Sequence, residues 1–535
     1  MVYGFLLLSS LGVVIAQGLP LLRTVSMPPL LEQPQRDNQP RQITSSLPPS
    51  PPQVLSQVSQ STTPALKPPA GAIAIPPGRD IQAVVDRYPP GTAFLLKAGT
   101  HRLQSIRPKA GNAFYGEISP TGKRLTTLNG SRQIVQFGRL GSLYVISGQT
   151  QKGQVHGSAQ KGWERSKHPE DLFIDDRPLK HVGSISEVKS GTWFFDYPND
   201  TVYFADNPAG KKIEISSTRT AFRPSAPNVK VYGLIVEKYA IPAQMGAIGD
   251  QYPQESWQIK GNEVRLNHGV GIKLGSNSLA RDNYIHSNGQ LGIAANGDNI
   301  TIEDNEVSSN NYANFSCAWE CGGSKFAKTR NLVIRNNFVH HNRGPGLWTD
   351  IDNIGTLYEN NIVYANRNEG IFHEVSFDAI IRNNKLGHNG EETKWLYGAN
   401  ILISNSRNVQ VYGNEVEVNP NFGNGIGIIW QDRGTGYVAT GNRVFNNRVT
   451  YLGKAGRSGA ASDTPPGKSL IFKSNSFNQN LYFTKNTSAK HFSWNNSNLD
   501  FSQFQSYGQD RQGKIDQEVT PLNWSKITST FTNEH

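Results

Sequence analysis

Between residues 229 and 484 the apolar positions of the chain fall into short runs rather than long faces. One copy reads Asn337-Phe338-Val339, then Asn342, then Gly346-Leu347; the next reads Asn361-Ile362-Val363, then Asn366, then Gly370-Ile371. The runs are short, alternate apolar with polar, and are punctuated by Asn and Gly, which is the signature of short strands joined by tight corners. The unit recurs at about two dozen residues, and such a period means stacked supersecondary units rather than one closed sheet. No stretch between the runs carries a helical apolar stripe, so each unit is read as one coil of several short strands. Asn283, Asn305, Asn337, Asn361 and Asn414 are assigned to the corners, where a side-chain amide can bond the backbone and unusual dihedrals are tolerated.

Outside the repeat the pattern changes several times. Residues 1–22 hold a short apolar run, Gly4 to Ala16, with Leu19 to Leu22 behind it, and read as a signal peptide or a membrane anchor, so the protein is expected outside the cytoplasm: secreted, periplasmic or membrane-anchored. Residues 23–70 are rich in Pro, Ser and Gln and read as a disordered linker. Residues 71–138 open with a helical spacing at Arg79 to Asp86 and a strand at Ala93 to Lys97, which suits a cap and first coils over the open apolar end of a stack. Residues 139–217 break the period with Leu172-Phe173-Ile174, Thr192-Trp193-Phe194-Phe195 and Thr201-Val202-Tyr203-Phe204, separated by Asp, Asn and Pro turns, and read as an inserted small β module. The coils occupy 218–490. Residues 491–535 form a C-terminal cap and tail, in which Trp494, Phe501 and Phe504 cover the last coil.

The Asn, Gly and apolar spacing resembles the right-handed parallel β-helix repeat family, closely over 229–484 and more loosely over 70–138. The helix, strand and Ala98-Gly99-Thr100 near the start are similar to the cap and first coil of pectate-lyase-like β-helices. The order of strands in 139–217 resembles an insert found in several β-helix enzymes acting on glycans. The resemblance implies an all-β fold, a right-handed parallel β-helix with a helical N-terminal cap and a small antiparallel insert. It implies less about activity, because the family includes lyases, epimerases, hydrolases and phage adhesins.

Composition sharpens this picture in three respects. Hydrophobic residues make up only 36% of the chain while Gly numbers 52, which fits a narrow stacked core with many corners. The formal charge is +11, which suits a polyanion such as a uronic-acid or sulfated polysaccharide, would equally suit nucleic acid, and is also compatible with a solvated surface that binds no specific anion; no nucleic-acid motif is present, so the expected partner is a polysaccharide and no nucleic acid is expected. Membrane contact is expected only through the N-terminal segment, and oligomeric state is not readable. Cys317 and Cys321 show no metal-type spacing and either bridge within one loop or remain free thiols. No dinucleotide fingerprint, P-loop, zinc signature or Ser/His/Asp motif is present.

Candidate chemistry concentrates in Gly344 to Glu374. Period-two alternation, with Gly346-Leu347, Gly370-Ile371 and Ile428-Ile429 taken as equivalent, sends Leu347, Ile371 and Ile429 inward and Trp348, Phe372 and Trp430 outward. It then places Asp350, Glu374 and Asp432 in one column, with His373 and Gln431 beside them and Asp352 close by. Like charges at that spacing demand a shared proton, a cation or a substrate, and one carboxyl should titrate high, as a general acid requires. An expanded coil at residues 317–325 should bring Glu320, Lys325 and Trp319 beside Asp350; another, through Glu391 to Trp395, should form the opposite edge. Trp319, Trp348, Phe372 and Trp430 are candidate platforms for sugar rings, with Lys325, Gln431 and Arg433 as polar contacts.

Three functions fit these residues. The leading one is cleavage of glycosidic bonds by the carboxylate cluster: Asp350 with Glu374 suits retention, and Glu374 with Asp432 suits inversion. The second is a uronate lyase or C5-epimerase using His373 or Lys325 as base, with Arg433 or a calcium ion neutralising the substrate carboxylate. The third is a non-catalytic carbohydrate-binding or surface protein. No cofactor is required, calcium being the one candidate, and no residue is assigned as a metal ligand. Polygalacturonases also carry several Asp on neighbouring coils, but their sequence patterns are absent here and their roles are not transferred.

Overall fold

Successive copies of the repeat stack as coils, each supplying one strand to each of three parallel sheets. The computed structural model describes residues 67–251, 255–392, 396–431, 433, 436–462 and 468–532; the expected signal or anchor and most of the linker therefore lie outside the described residues. One coil contributes Val333–Arg335 to the first sheet, Phe338–His340 to the second and Leu347–Thr349 to the third; the next contributes Leu357–Glu359, Ile362–Tyr364 and Ile371–Glu374. The first and second sheets run to 13 strands each and the third to 11, and the third ends in one antiparallel pair, Phe492–Trp494 with Ser497–Leu499. This is a right-handed parallel β-helix, as the repeat predicts.

The core is built from stacked identical positions. Ile334, Tyr358, Ile381, Val411 and Val444 form a buried column in the first sheet, and Val339, Val363, Leu386, Val416 and Val449 one in the second. In the third sheet Leu347, Ile371, Ile401 and Ile426 face them. Burying β-branched and Leu side chains from three sides removes a continuous apolar strip from water, and each coil depends on its neighbours to do so.

At the corner between the first and second sheets a residue in the left-handed region precedes an inward Asn. Asn336, Asn360, Asn383 and Gly413 take the positive φ, and Asn337, Asn361, Asn384 and Asn414 follow. Each inward amide donates to the next Asn and to a backbone carbonyl of the preceding coil: Asn361 Nδ2 lies 2.9 Å from Asn384 Oδ1 and 2.9 Å from Ile334 O, while its Oδ1 accepts from Asn337 N at 3.0 Å. The ladder runs from Asn262 to Asn480 and closes on Asp510. A second ladder, Asn267, Asn288, Asn310, Asn342, Asn366 and Asn389, does the same at the next corner. In a core too narrow for water, these amides satisfy backbone groups that the turns leave without partners.

Helix Ile81–Arg87, N-capped by the Asp80 carboxylate, buries Ile81 and Val85 at the first coil. At the other end helix Phe501–Ser506, started by an Asp500–Gln503 capping box, places Phe501 and Phe504 against Trp494 and the last coil. Residues 131–216 form two small, largely antiparallel sheets with their own core of Trp193, Phe195, Val202, Phe204, Ile213 and Ile215. This insert is tied to the expanded coil of the helix: Ala159 bridges Phe315, Ser166 Oγ donates to Ala313 O, and buried His268 sits 2.9 Å from Asp171 and 2.8 Å from Ser166 O.

One register departs from expectation. Ile371 pairs with Ile401, which pairs with Ile426, so Ile426 and not Ile429 is the equivalent of Ile371. The segment Asn424-Gly425-Ile426-Gly427-Ile428-Ile429 contains the Gly-Ile pair twice, and a three-residue slip exchanges the faces of a strand. Ile429 accordingly lies on the outer face with Leu402 and Ala461, while Trp430, expected outward, packs against the main core. Among the described residues no helix is long and apolar enough to cross a membrane.

Candidate active site

The outer face of the third sheet collects the charged residues. Trp348 pairs with Phe372, and the same register carried two residues further sets Asp350 beside Glu374 on the adjacent coil, as alternation predicts. Glu374 pairs in turn with Ser404, and Ser404 with Ile429. The position expected for Asp432 is therefore taken by Ile429; Asp432 itself lies outside the described residues, as do Thr393, Lys394 and Trp395 of the expected opposite edge.

Glu374 is only 4% exposed and is gripped from two sides. Trp348 Nε1 donates to Oε2 at 3.2 Å, and the Arg433 guanidinium pairs with Oε1. Burial, reinforced by the negative charge of Asp350, pushes the carboxyl up to about 7; Arg433, Lys325 and the Trp348 bond oppose this. Asp350 is treated differently: Lys325 Nζ stands 2.9 Å from its Oδ2, and the same ammonium is 4.0 Å from Glu320 and 4.0 Å from the centre of the Trp348 ring. Lys325 reaches all three because Ala294, its pairing partner, Trp348 and Phe372 share one outward column.

The expanded coil is held by the disulfide between Cys317 and Cys321, which settles the alternatives left by their spacing. It carries Glu320, whose carboxyl burial raises and whose Oε2 accepts from Gln244 Nε2 at 2.5 Å. Trp319 packs on Phe315 and edge-on to His156, and its carbonyl accepts from Lys325 at 3.1 Å. Asp352 lies apart on an exposed turn with φ of +57°, its carboxylate accepting from Tyr437 at 3.0 Å. Gln431 Oε1 accepts from Arg433 Nε at 3.3 Å.

Two expectations fail, one on orientation and one on burial. His373 is inward: it pairs with Thr349 and Ile403, is fully buried, and places Nδ1 2.8 Å from Thr349 Oγ1 and its ring edge against Tyr358. Alternation between outward Phe372 and outward Glu374 leaves it no other side, and burial lowers it to about 3, so it cannot serve as a base on the outer face. Trp348 and Phe372 are outward but lie flat on one another, 5.5 Å apart at 13°, and are 4% and 7% exposed beneath Leu396, Leu402 and Tyr397. They wall the site rather than offering faces to a sugar. Conversely, nothing in the repeat pattern marks Gln244, Gln290, Lys273 and His156. Gln244 donates to Glu320 and accepts from His156 Nε2 at 2.9 Å, Gln290 bonds the backbone of Gln244 and Glu320, and Lys273 reaches Gln244 O at 3.0 Å. They come from coils and an insert far apart in the chain, and only the stacking brings them together. Among the described residues no group of three or more His, Cys, Asp or Glu is arranged to hold a metal ion.

A family model described as right handed beta helix region matches residues 250–416. No curated protein matches the chain. Among solved structures, the complex of XylC with xylose superposes with a TM-score of 0.60 at 14% identity, covering 83% of this chain and 83% of that one. The A-module of the mannuronan C-5 epimerase AlgE6 from Azotobacter vinelandii gives a TM-score of 0.46 at 14% identity, over 83% of this chain and 95% of that one. At 14% identity the likeness to XylC is one of fold. With the coil geometry, it identifies the chain as a right-handed parallel β-helix protein.

Proposed function

We propose that the protein cleaves glycosidic bonds in a polysaccharide, with Glu374 donating the proton to the leaving oxygen and Asp350 acting on the sugar carbon from the adjacent coil. The observation that carries this reading is the contrast within the pair: one carboxyl pushed up to about 7 beside another ion-paired to Lys325. Two carboxyl groups in opposite protonation states are what glycoside hydrolysis needs. Neighbouring coils are spaced at about 4.8 Å, close to the separation of about 5 to 5.5 Å that accompanies retention of configuration. In this reading Lys325 orients Asp350, and Glu320 with Gln244 contributes hydrogen bonds to sugar hydroxyls.

The lyase and epimerase reading loses its first base, because His373 faces the core, and its second is engaged, because Lys325 is ion-paired. The basic composition favours an anionic or mixed polysaccharide, and the apolar N-terminal run favours action outside the cytoplasm. The test is incubation with a panel of neutral and uronate polysaccharides, xylose-containing ones included. New reducing ends without ultraviolet absorption by unsaturated uronate support hydrolysis. Unsaturated products, or binding with no new ends across the panel, overturn it.

A further inference from the structure

Beyond the carboxylate pair the third sheet turns toward the first, and this corner carries aromatic and cationic side chains that the hydrolytic step does not use. Ile354, Phe377 and Arg407 follow one another there on successive coils, each bridged to the next. Phe377 belongs to the coil of Glu374. The Arg407 guanidinium stands 4.4 Å from the centre of the Phe377 ring, and the Tyr437 ring lies 6.2 Å from it and parallel within 6°. Phe377 and Tyr437 are half-buried and Arg407 is exposed, whereas Trp348 and Phe372 are covered.

Tyr437 is fixed in this position. Ser404 pairs with Ile429 and Gln410 with Arg443, so the coil bearing Ile429 takes a longer path round the corner than the coil before it. That excursion is pinned at both ends by Asn405, fully buried with φ of +48°. The Asn405 amide donates to Gln431 O at 2.5 Å and to Tyr437 O at 2.8 Å, and its Oδ1 accepts from Gln431 N at 2.9 Å. Between these ends Arg433 pairs with Glu374. The Tyr437 hydroxyl donates to Asp352 at 3.0 Å, and this bond, with the nearby charge of Asp350 adding to it, holds the phenol above its ordinary range. The ring therefore sits at the edge of the carboxylate pair with its hydroxyl engaged, which leaves its apolar carbons for contact.

Arg407 is the polar counterpart. Among the described residues no carboxylate pairs with it, and the neighbouring Asp378 is engaged by Asn408 Nδ2 at 2.9 Å. A guanidinium presents parallel N–H donors that match a carboxylate or sulfate, and a neutral sugar has no group of that kind. A pyranose ring sets apolar C–H groups against an aromatic side chain while its polar substituents stay at the rim. We propose that Tyr437, Phe377 and Arg407 form a subsite for a sugar unit carrying a carboxylate or sulfate, the aromatic rings contacting the sugar and Arg407 binding its anionic group. The subsite rests on the polysaccharide reading above for the class of ligand, but not on the hydrolytic step.

The test uses the full chain carrying Asp350→Asn, which slows turnover and leaves the Arg433 and Glu374 pair in place. It is titrated by calorimetry with oligosaccharides of galacturonate, glucuronate and mannuronate, with sulfated galactan oligosaccharides, and with neutral xylo- and gluco-oligosaccharides. At least one anionic series is expected to bind, and the series that responds to Arg407→Met identifies the anion. Arg407→Met should weaken that binding about tenfold or more, as should Tyr437→Ala, and Tyr437→Phe, which keeps the ring, should recover most of the second loss. Because Arg407 is exposed, its substitution gives a reading even where Tyr437→Ala fails to fold. Arg177→Met makes the same change of charge at an exposed position of the insert and should alter binding by less than about twofold. The proposal is overturned if no anionic oligosaccharide binds, if neutral ones bind as tightly, if binding survives Arg407→Met, or if Arg177→Met weakens it equally. New reducing ends are scored on the unsubstituted protein, so failure of this subsite and failure of hydrolysis give different results.

Discussion

Asp350 and Glu374 occupy equivalent positions on adjacent coils, yet the stack gives them opposite surroundings. Asp350 meets the Lys325 ammonium at 2.9 Å, whereas Glu374 is covered by Trp348 and Arg433 and carries its proton up to about 7. The difference arises because the coil before Asp350 supplies Lys325 at the position that pairs with Trp348, while the coil after Glu374 supplies the uncharged Leu402 and Ser404 opposite Phe372 and Glu374.

Glu374→Gln is expected to reduce kcat about a thousandfold with the circular dichroism spectrum unchanged. In the unsubstituted protein the rate should fall roughly tenfold per pH unit above the Glu374 titration near 7, because the acid must be protonated. The same group affects stability. Its carboxyl is raised from 4.5 to about 7 on folding, so its contribution is complete below pH 4.5 and is lost as pH rises through 7. Urea midpoints measured across that window should slope downward, and the slope should flatten in Glu374→Gln.

Neighbouring charges should move the alkaline limb in opposite directions. Asp350 raises Glu374 and Lys325 lowers it, so Asp350→Asn should shift the limb of the residual activity to lower pH, and Lys325→Met to higher pH. Both should also lower kcat, by about a hundredfold or more for Asp350→Asn. pH–rate profiles of the two variants check the signs; a common direction for both would refute the assignment.

His373→Leu is expected to leave kcat within about twofold and stability within about 1 kcal/mol, since the side chain lies in a core column next to Ile403 and its Nε2 has no partner. Turnover and thermal melting of this variant separate an inward His from a catalytic base.

Reducing or replacing the bridge as Cys317→Ser with Cys321→Ser should cost about 2 kcal/mol for so short a loop. The loop carries Glu320 and Trp319, so kcat/KM should fall more than stability does. Activity before and after treatment with a thiol reductant, beside a melting curve, measures both.

Asn361→Ala should destabilise the protein by on the order of 3 kcal/mol, because Asn337 N, Ile334 O and Asn384 Oδ1 all lose a buried partner at once. Chemical unfolding gives the value.

Much of this molecule was legible along the chain. The Asn, Gly and apolar spacing specifies the coil, since in a narrow stack the same corner must be solved in every turn, and Asn361 is placed by that rule without knowledge of its neighbours. Alternation likewise put Trp348 and Phe372 outward and Asp350 beside Glu374, because strand parity is a local property. The approach of Lys325 to Asp350 also followed from counting coils.

Tertiary structure decided the rest. His373 is adjacent to Glu374 in sequence, but adjacency in a strand means opposite faces, and its inward side chain is fixed by the flanking residues. The register of Ile429 is not legible along the chain because Gly-Ile occurs twice in one strand, and only hydrogen bonding to the neighbouring coil selects it. The covering of Trp348 by Leu396 and Tyr397, and the arrival of His156 and Gln244 beside Glu320, depend on where the excursions and the insert fold back. The sequence by itself determined the repeat, its corners and which strands would carry charge, all set by interactions within one turn. Which carboxyl keeps its proton is a matter of burial and of partners from distant coils, and those exist only once the chain has stacked.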